Sequence, residues 1–312
     1  MTQYPKPIVL ISECLGVKPV RHDGNIICDD FIETLKKYIE IRPICPEVEI
    51  GLGVPRNPLV LYEEKGVIDL VDTVSGDTYA GKIRELVDKI TSNLQVDGII
   101  LKSMSPSCGV GDAKVYGPGR RVLRKADGLF TMLIKNTHPC IPLESEKRLY
   151  NYEIRSRFLT KIFAIADLRS TLRDIKSRED LVEFHKRNKY IIMLHSDSSL
   201  KNLGRVVAAR KSIGMEELVK KYSDEFMKAM CMNPHRGSYT NVLTHIYGHL
   251  KNELPRSERK YILDLIEKYR RGLENLRTIL VYFRGFKHRL EDKYLAESRF
   301  FQPYPDELDI IP

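Results

Sequence analysis

The sequence predicts an α/β fold for the first half of the chain and an all-α fold for the second half. Up to about residue 147, short runs rich in Ile, Val and Leu (PIVLIS, IRPIC, DGIILKS and HPCIPL) alternate with stretches that carry apolar residues at helical spacing (FIETLKKYIE and AGKIRELVDKI). This alternation is typical of βαβ units around a mostly parallel, Rossmann-like sheet with helices. Beyond about residue 148 the β-like runs stop and helical spacing continues to the end, which predicts a helical domain of five or six helices.

These patterns divide the chain into two predicted domains, residues 1–147 and residues 148–312. Within the first, the turn-rich segment 51–80 contains two β-like runs and predicts a small hairpin extension. The stretch RVLRKADGLFTMLIKN is interpreted as one more helix. At the other end, FFQPYPDELDIIP is punctuated by prolines and is expected to lie along the surface as a tail.

Composition limits the classes of protein that need to be considered. The chain has no run of eighteen apolar residues and no signal-peptide pattern at its start, so a cytoplasmic location is expected. Its six cysteines are too sparse and too far apart for a secreted disulfide framework. Metal binding, catalysis and simple burial are therefore the roles to weigh for them, and disulfides are the least expected.

The net charge of +9 is distributed unevenly along the chain. Residues 1–150 contain 20 Lys and Arg against 20 Asp and Glu, whereas residues 151–312 contain 31 against 22. A basic second half indicates a polyanionic partner such as RNA, although an ordinary solvated Lys/Arg surface has the same composition.

Three cysteines lie at the predicted carboxyl ends of strands, where α/β proteins usually bind their ligands. Cys14 and Cys45 end the first two β-like runs, and Cys108 lies in the loop SMSPSCG after the run DGIILKS. Because the carboxyl ends of parallel strands form the usual ligand crevice, these three thiols are expected to face one another. Grouped thiolates repel unless a cation shares them, which favours iron or zinc. Zinc would require a fourth ligand, whereas a four-iron cluster held by three cysteines leaves one iron open to substrate.

The other three cysteines are interpreted as small buried side chains. Cys140 lies in the β-like run HPCIPL and Cys231 follows a helical stretch. Cys28, close in sequence to Asp23, could approach the predicted site and act as a further ligand.

Four motifs in order resemble the thiouracil desulfidase (TudS-type) family over about the first 145 residues. They are Ser12-Glu13-Cys14-Leu15-Gly16, then Arg21-His22-Asp23-Gly24, then Cys45-Pro46-Glu47 followed by Gly51 to Arg56, and finally Lys102 through Gly109. The remainder resembles the helical YbgA-like domain through FHKRNKY, RGSYTNVLTHIYGHLK and EKYRRG. The combination is similar to two-domain enzymes that remove sulfur from 4-thiouridine in transfer RNA.

The resemblance implies a [4Fe–4S] cluster bound by Cys14, Cys45 and Cys108, with one open iron. It also implies a desulfuration without net electron transfer, in which 4-thiouridine in tRNA, or a related thiolated uracil, becomes uridine or uracil and hydrosulfide leaves. An open iron is a soft Lewis acid that suits a thiocarbonyl sulfur.

Proton transfer in such a reaction falls to side chains near the cysteines. Glu47 is the preferred general acid or base, with Glu49 as a second carboxylate in the same segment. Ser105 is the preferred serine for a catalytic contact, although its hydroxyl could equally serve to shape the turn at Pro106. Further possible substrate contacts are Lys102, Ser103 and Ser107.

The helical half contains basic side chains that could contact RNA phosphates and aromatic side chains that could stack on bases. The leading candidates are Lys186, Arg187, Tyr190 and Arg236. The wider set adds His185, Lys189, Arg205, Arg210, Lys211, Arg270, Arg271, Arg284, Lys287, His288 and Arg289, with Tyr239 and Phe283 as stacking faces. His245 and His249 lie four residues apart on a predicted helix, a zinc-compatible spacing without an evident third ligand, and are interpreted as structural or as phosphate contacts.

Two alternatives to a tRNA desulfidase remain open at this stage. One is a desulfidase of free thiouracil whose helical half is only a lid. The other is a non-catalytic RNA-binding or redox-sensing protein with a structural cluster, which requires a fourth protein ligand such as Cys28. The oligomeric state has no signature in the sequence.

Overall fold

The computed structural model describes residues 4–208, 213–289 and 293–309, except for the side chains of residues 287, 288, 293 and 294. The chain forms two compact units. The N-terminal unit comprises Lys6–Phe158 with the described part of Asp306–Pro312. The helical unit comprises Leu159–Pro305 with the described part of Met1–Pro5.

The N-terminal unit contains two four-stranded sheets and their flanking helices. In chain order its elements are β1 Ile8–Ser12, α1 Asp30–Leu35, β2 Glu40–Ile44, α2 Pro46–Glu49, β3 Leu59–Glu64, β4 Val67–Asp72, α3 Ala80–Thr91, β5 Gly98–Leu101, β6 Ala113–Tyr116, β7 Val122–Ala126, α4 Leu129–Thr137 and β8 Leu143–Ser145.

The first sheet is fully parallel, in the order β2-β1-β5-β8. All four residues of β5 are buried, as are four of the five residues of β1, because both strands lie inside the sheet. On α3, Ile83 and Val87 lie four residues apart and pack into the apolar core that this sheet shares with α4. The prediction of an α/β unit followed by an all-α unit is confirmed.

The second sheet has the order β4-β3-β6-β7. Its antiparallel β3–β4 pair is the predicted hairpin, but β6 and β7 extend it. The single helix predicted for RVLRKADGLFTMLIKN was therefore wrong in part, since its first residues form β7 and only the later ones form α4. Backbone pairing with β6 decides this outcome, because the side chains of β7 are mostly exposed and contribute little apolar periodicity.

The helical unit is built from α-helices joined by short connections. Its elements are α5 Tyr152–Asp174, which contains the boundary between the units, α6 Arg178–His195, α7 Asp197–Ala208, α8 Met215–Cys231, α9 Arg236–Leu250, α10 Arg256–Arg270, α11 Leu276–Arg289 and α12 Lys293–Glu297. The described residues thus contain more helices than the five or six predicted. None of the described helices combines the length and the apolar content needed to cross a membrane.

The segment after α12 packs into the core instead of lying on the surface. Phe300 and Phe301 belong to the apolar core of the helical unit, and Tyr304 is only 2% exposed. The prediction of a surface tail was wrong for residues 300–309, the part of the tail that the structure describes. Prolines end the helical periodicity here, but they do not prevent the side chains of Phe300, Phe301 and Tyr304 from being buried.

Cys140 and Cys231 are each disulfide-bonded and half-buried. Their interpretation as inert buried thiols, and the low weight given to disulfides, were wrong. The free cysteines among the described residues are Cys14, Cys28, Cys45 and Cys108.

One buried and one half-buried histidine, His195 and His185, predict how stability depends on pH. Burial lowers the pKa of His195 to about 3 and that of His185 to about 4, so both are neutral in the folded protein near neutral pH. In the unfolded chain they bind a proton near pH 6.5. Stability is therefore complete above about pH 6.5 and is lost as pH falls from there towards 4, by up to about 1.4 kcal/mol per histidine and pH unit.

Urea unfolding followed by circular dichroism at several pH values between about 7 and 5 measures this loss. The His195→Leu variant should show a shallower decline than the parent chain. An equally steep decline in that variant would assign the pH dependence to other groups.

Candidate active site

The three predicted thiols lie around one cavity at the carboxyl edge of the parallel sheet. Cys14 follows β1, Cys45 follows β2 directly and precedes α2, and Cys108 lies in the long loop after β5. These three strands are adjacent and parallel, so their carboxyl ends meet. All three cysteines line a cavity of about 180 Å³, called the thiol cavity below.

The surroundings of the thiols oppose their ionisation. Burial raises the pKa of Cys14 to about 12, repulsion from Cys45 adds to the effect, and the Lys102 ammonium opposes it. Burial also raises the pKa of Cys45, which the Arg56 guanidinium counteracts, and raises the pKa of Cys108 well above its ordinary value. Thiols in these positions become good ligands only when a cation shares their charge.

The donor set fits a polynuclear group better than a single ion. A tetrahedral ion with metal–sulfur bonds of about 2.3 Å brings its thiolates to about 3.8 Å from one another. Within residues 4–208, 213–289 and 293–309, no group of three or more His, Cys, Asp and Glu side chains is arranged to hold one metal ion. Three thiols that line one cavity are the donor type by which proteins hold iron–sulfur clusters.

Cationic side chains surround the same cavity. Arg21, Arg56 and Lys102 all line it. Arg21 forms an ion pair with Asp23 at 3.2 Å, which holds the loop after Cys14. With three cations against one carboxylate, that of Glu47, the lining of the cavity favours an anionic occupant, and a thiolate-ligated cluster carries negative charge.

Glu47 is held in place from two sides. Its Oε2 accepts a hydrogen bond from Arg56 Nε at 2.6 Å, and its Oε1 accepts one from Ser107 Oγ at 2.7 Å. Glu47 is 9% exposed and lines the thiol cavity, whereas Glu49 is exposed and does not line it. The geometry therefore favours Glu47 over Glu49 for proton transfer at this site.

Arg56 is the main residue that the sequence interpretation missed. Besides Glu47, its guanidinium donates to the carbonyl oxygens of Val20 at 3.0 Å and Gly53 at 3.2 Å, and it contacts Cys45 Sγ at 3.8 Å. A signal was present, since Arg56 ends the motif that follows Cys45-Pro46-Glu47. Its role in holding Glu47 depends on the folded structure, which brings the two side chains together.

Breaking this ion pair should destabilise the N-terminal unit. The side chains of Arg56 and Glu47 are only 8% and 11% exposed. Arg56→Leu leaves a buried carboxylate without its cation, so we expect the free energy of unfolding to fall by about 3–5 kcal/mol. The double variant Arg56→Leu/Glu47→Leu should regain most of this loss in a double-mutant cycle measured by urea unfolding. A loss below about 1 kcal/mol in the single variant would mean that the pair is solvated.

The serines of the Cys108 loop have different surroundings. Ser105 Oγ lines the thiol cavity and accepts hydrogen bonds from the backbone N–H groups of Ser107 at 3.2 Å and Cys108 at 3.1 Å. Ser105 thus shapes the turn at the lining of the cavity. Ser107 does not line the cavity and donates to Glu47 instead.

The start of the loop is fixed by a buried carboxylate. Glu146 accepts hydrogen bonds from Ser103 N at 2.7 Å and from Ser103 Oγ, and it lies 3.9 Å from Lys102 Nζ. Lys102 Nζ also donates to the Ser103 carbonyl at 2.6 Å. Glu146 follows β8 directly, so its position depends on the fourth strand of the parallel sheet, and the sequence interpretation did not identify it.

Two further residues missed from the sequence support Cys108. Ser12, the last residue of β1, hydrogen-bonds the Cys108 side chain and accepts from Lys102 N at 3.0 Å. Gly128 packs against the loop, since a Cβ at this position would lie 2.5 Å from Ser107 backbone atoms. Only glycine allows that approach.

Cys28 is exposed and does not line the thiol cavity. The structure therefore does not bring it to the other three thiols, and a fourth-ligand role has no geometric support.

Three of the four leading RNA-contact candidates, Arg187, Tyr190 and Arg236, are engaged in packing. Arg187 forms a bidentate ion pair with Asp167, both hydrogen bonds being 3.0 Å long. Arg236 donates to the Tyr269 carbonyl at 2.7 Å and lies over the Tyr269 ring. Tyr190 is buried against Phe300.

Tyr239 and Phe283 are also buried in the core, which leaves them no free face for stacking. Lys186 remains exposed. Arg210 and Lys211 lie outside the described residues, as do the side chains of Lys287 and His288.

Comparison with known proteins matches the two halves of the chain to two families. Residues 9–146 match the family model described as 2-thiouracil desulfurase, and residues 189–305 match DUF1722, described as a protein of unknown function.

Relatives cover each half separately. The uncharacterized protein YbgA of Escherichia coli (strain K12) is 25% identical over 153 residues, which is 49% of this chain and 90% of that protein. The uncharacterized protein YbbK of Bacillus subtilis (strain 168) is 29% identical over 112 residues, which is 33% of this chain and 74% of that protein. Among solved structures, the [4Fe-4S]-dependent thiouracil desulfidase TudS is similar at 29% sequence identity and a TM-score of 0.38, covering 46% of this chain and 94% of that one. The family matches assign residues 9–146 of this chain to the 2-thiouracil desulfurase family and residues 189–305 to the DUF1722 family, with the two domains in tandem.

Proposed function

We propose that this protein is a [4Fe–4S]-dependent desulfidase that converts 4-thiouridine in tRNA to uridine and releases hydrosulfide. The observation that carries the proposal is the convergence of Cys14, Cys45 and Cys108 on one cavity that Glu47 also lines. The family of the N-terminal domain supports the reaction class, which is removal of sulfur from a thiolated pyrimidine.

In this proposal Cys14, Cys45 and Cys108 hold the cluster. When bound, it supplies a Lewis-acidic iron that has no protein ligand and can accept a thiocarbonyl sulfur. Arg56 and Lys102 reduce the cost of gathering three thiolates, since each lowers the pKa of a neighbouring thiol.

The overall reaction exchanges one atom and transfers no electrons. Water adds to the ring carbon of the C=S bond, the carbon–sulfur bond breaks, and C=O and hydrosulfide result. Glu47 is placed to take a proton from the attacking water and to return one to the departing sulfur. Arg56 and Ser107 orient this carboxylate by holding both of its oxygens.

Other residues of the thiol cavity suit a flat, partly apolar base. Pro58, Leu59, Met104 and Pro106 provide apolar surface and limit the access of bulk water. Met104 is 58% exposed, so it lies at the mouth of the cavity. The hydroxyl of Ser105 is available to donate a hydrogen bond to a substrate oxygen.

The preference for tRNA rests on charge. A base within folded RNA must turn outwards to enter a cavity, and phosphate contacts elsewhere can offset that cost. The excess of positive charge lies in residues 151–312, which contain 31 Lys and Arg and 22 Asp and Glu.

A second candidate substrate is free thiouracil. It is favoured by the description of the family that matches residues 9–146, which names 2-thiouracil. In this case the helical unit would contribute nothing to substrate affinity.

The test is an anaerobic assay of the iron-reconstituted full chain on three substrates: tRNA that contains 4-thiouridine, 4-thiouracil and 2-thiouracil. Loss of the thiocarbonyl absorbance and formation of sulfide are followed together. The proposal requires a higher kcat/KM for tRNA, with a KM that rises steeply with salt. Activity on the free bases with none on tRNA would support the second candidate, and no sulfide from any substrate would refute both.

A further inference from the structure

The helical unit contains a groove between α6 and α9 that is lined by basic side chains. His185, Lys186 and Lys189 line it from α6, and His245 and His249 line it from α9. The groove has a volume of about 610 Å³. Residues three or four apart on a helix share one face, so each wall presents a row of nitrogen donors along the helix axis.

Carboxylates are absent from the described residues that line this α6–α9 groove. At its edge, Lys186 lies 3.8 Å from Glu183 and 3.6 Å from Glu297. Both pairs involve exposed side chains at distances longer than a hydrogen bond. Such pairs are worth little in water, so Lys186 can turn to another anion at small cost.

The floor of the groove is preorganised. The His185 Nδ1 atom lies 3.0 Å from the Tyr222 hydroxyl, and burial lowers the pKa of His185 to about 4. His185 is therefore neutral near pH 7 and contributes hydrogen bonding instead of charge. Lys189 Nζ lies over the Tyr190 ring, 5.7 Å from its centre, which restricts the conformations of this lysine. Lys186 and Lys189 give the groove positive charge.

We propose that the α6–α9 groove is the site where the helical unit binds a phosphodiester segment of RNA. This inference rests on the proposed tRNA substrate and specifies which surface holds it. A groove with donors repeated along both walls suits a chain of successive phosphates better than a single small anion. Arg187 and Arg236, which are held in internal contacts, do not line this groove.

The direct test compares two double variants of the full chain for tRNA binding by fluorescence anisotropy. Lys186→Gln/Lys189→Gln removes both charges of the groove. Lys221→Gln/Lys228→Gln removes two charges from exposed lysines of α8, which form ion pairs with Glu217 and Glu225. Each variant loses two positive charges. The two variants therefore differ only in the surface from which the charges are removed.

The groove variant should bind tRNA more weakly at every salt concentration. Its plot of log Kd against log salt should be less steep than that of the parent chain by about 1 for each lysine that contacts a phosphate. The α8 variant should keep the parent slope. Equal losses in the two variants would assign binding to the general charge of the unit and overturn the proposal, as would an unchanged slope in the groove variant.

Two controls separate this inference from the proposed function. Desulfuration of 4-thiouracil by the groove variant should remain at the parental rate, because the thiol cavity is unchanged. If the parent chain binds tRNA through the groove but releases no sulfide, the binding site stands and the enzymatic proposal fails. Vesicles of anionic phospholipid provide a competing polyanion, and loss of vesicle binding with unchanged tRNA binding in the groove variant would refute the RNA assignment.

Discussion

Replacing Cys45 with alanine should abolish desulfuration and prevent cluster assembly. Cys45 is buried, lines the thiol cavity and contributes one of its three free thiols. Removal of a residue that only hydrogen-bonds to a metal ligand lowers metal affinity by about 10–100-fold. Removal of a ligand itself should therefore lower the affinity for the cluster by more. Iron and sulfide content after anaerobic reconstitution, the visible absorbance of the cluster and the rate of sulfide release measure the effect.

The matched control for this experiment is Cys28→Ala. Cys28 is also a free thiol, but it is exposed and does not line the thiol cavity. Its replacement should leave iron content and activity at the parental level. If Cys28→Ala loses the cluster while Cys45→Ala keeps it, the ligand assignment is wrong. Full activity in Cys45→Ala would remove the proposed mechanism entirely.

Replacing Glu47 with glutamine should separate cluster binding from catalysis. The amide keeps the size of the side chain but cannot accept and return a proton at neutral pH. General acid–base catalysis is worth roughly 10²–10⁴-fold, and kcat should fall by that factor while iron content is retained. Single-turnover kinetics on tRNA that contains 4-thiouridine measures the chemical step.

Glu49→Gln is the control for position and Glu47→Asp the control for folding. Glu49 is two residues away on α2 and exposed, so its replacement should change kcat little. Glu47→Gln also leaves the buried Arg56 without its anion, so its fold must be checked by circular dichroism. Glu47→Asp keeps the charge with a shorter reach and should retain the fold with partial activity. A parental kcat in Glu47→Gln would assign proton transfer to another group.

The elements that could be predicted from the sequence are those with a regular pattern of apolar residues within one segment. β1 and β5 were predicted because uninterrupted apolar runs of this length form buried strands of a parallel sheet. The meeting of Cys14, Cys45 and Cys108 followed from the same reasoning, because each comes after a parallel strand. The helical character of the chain after residue 150 was predicted from the spacing of apolar residues. The number of helices was predicted too low.

The failures concern features that leave no local pattern in the sequence. β7 was predicted as helix because its pairing with β6 leaves little trace in its own side chains. The aromatic residues after α12 were placed on the surface because prolines end periodicity without indicating burial. Disulfide bonding of Cys140 and Cys231 likewise has no local signature.

The sequence by itself determined the two-part organisation of this protein and the positions of three thiols at the end of their strands. Only the tertiary structure decided that Arg56 and Ser107 hold Glu47, and that Glu146 fixes the start of the Cys108 loop. It also decided that His245 and His249 share a groove with lysines of α6. These arrangements join residues far apart in the chain, and their energies depend on burial and distance, which exist only after the elements have packed.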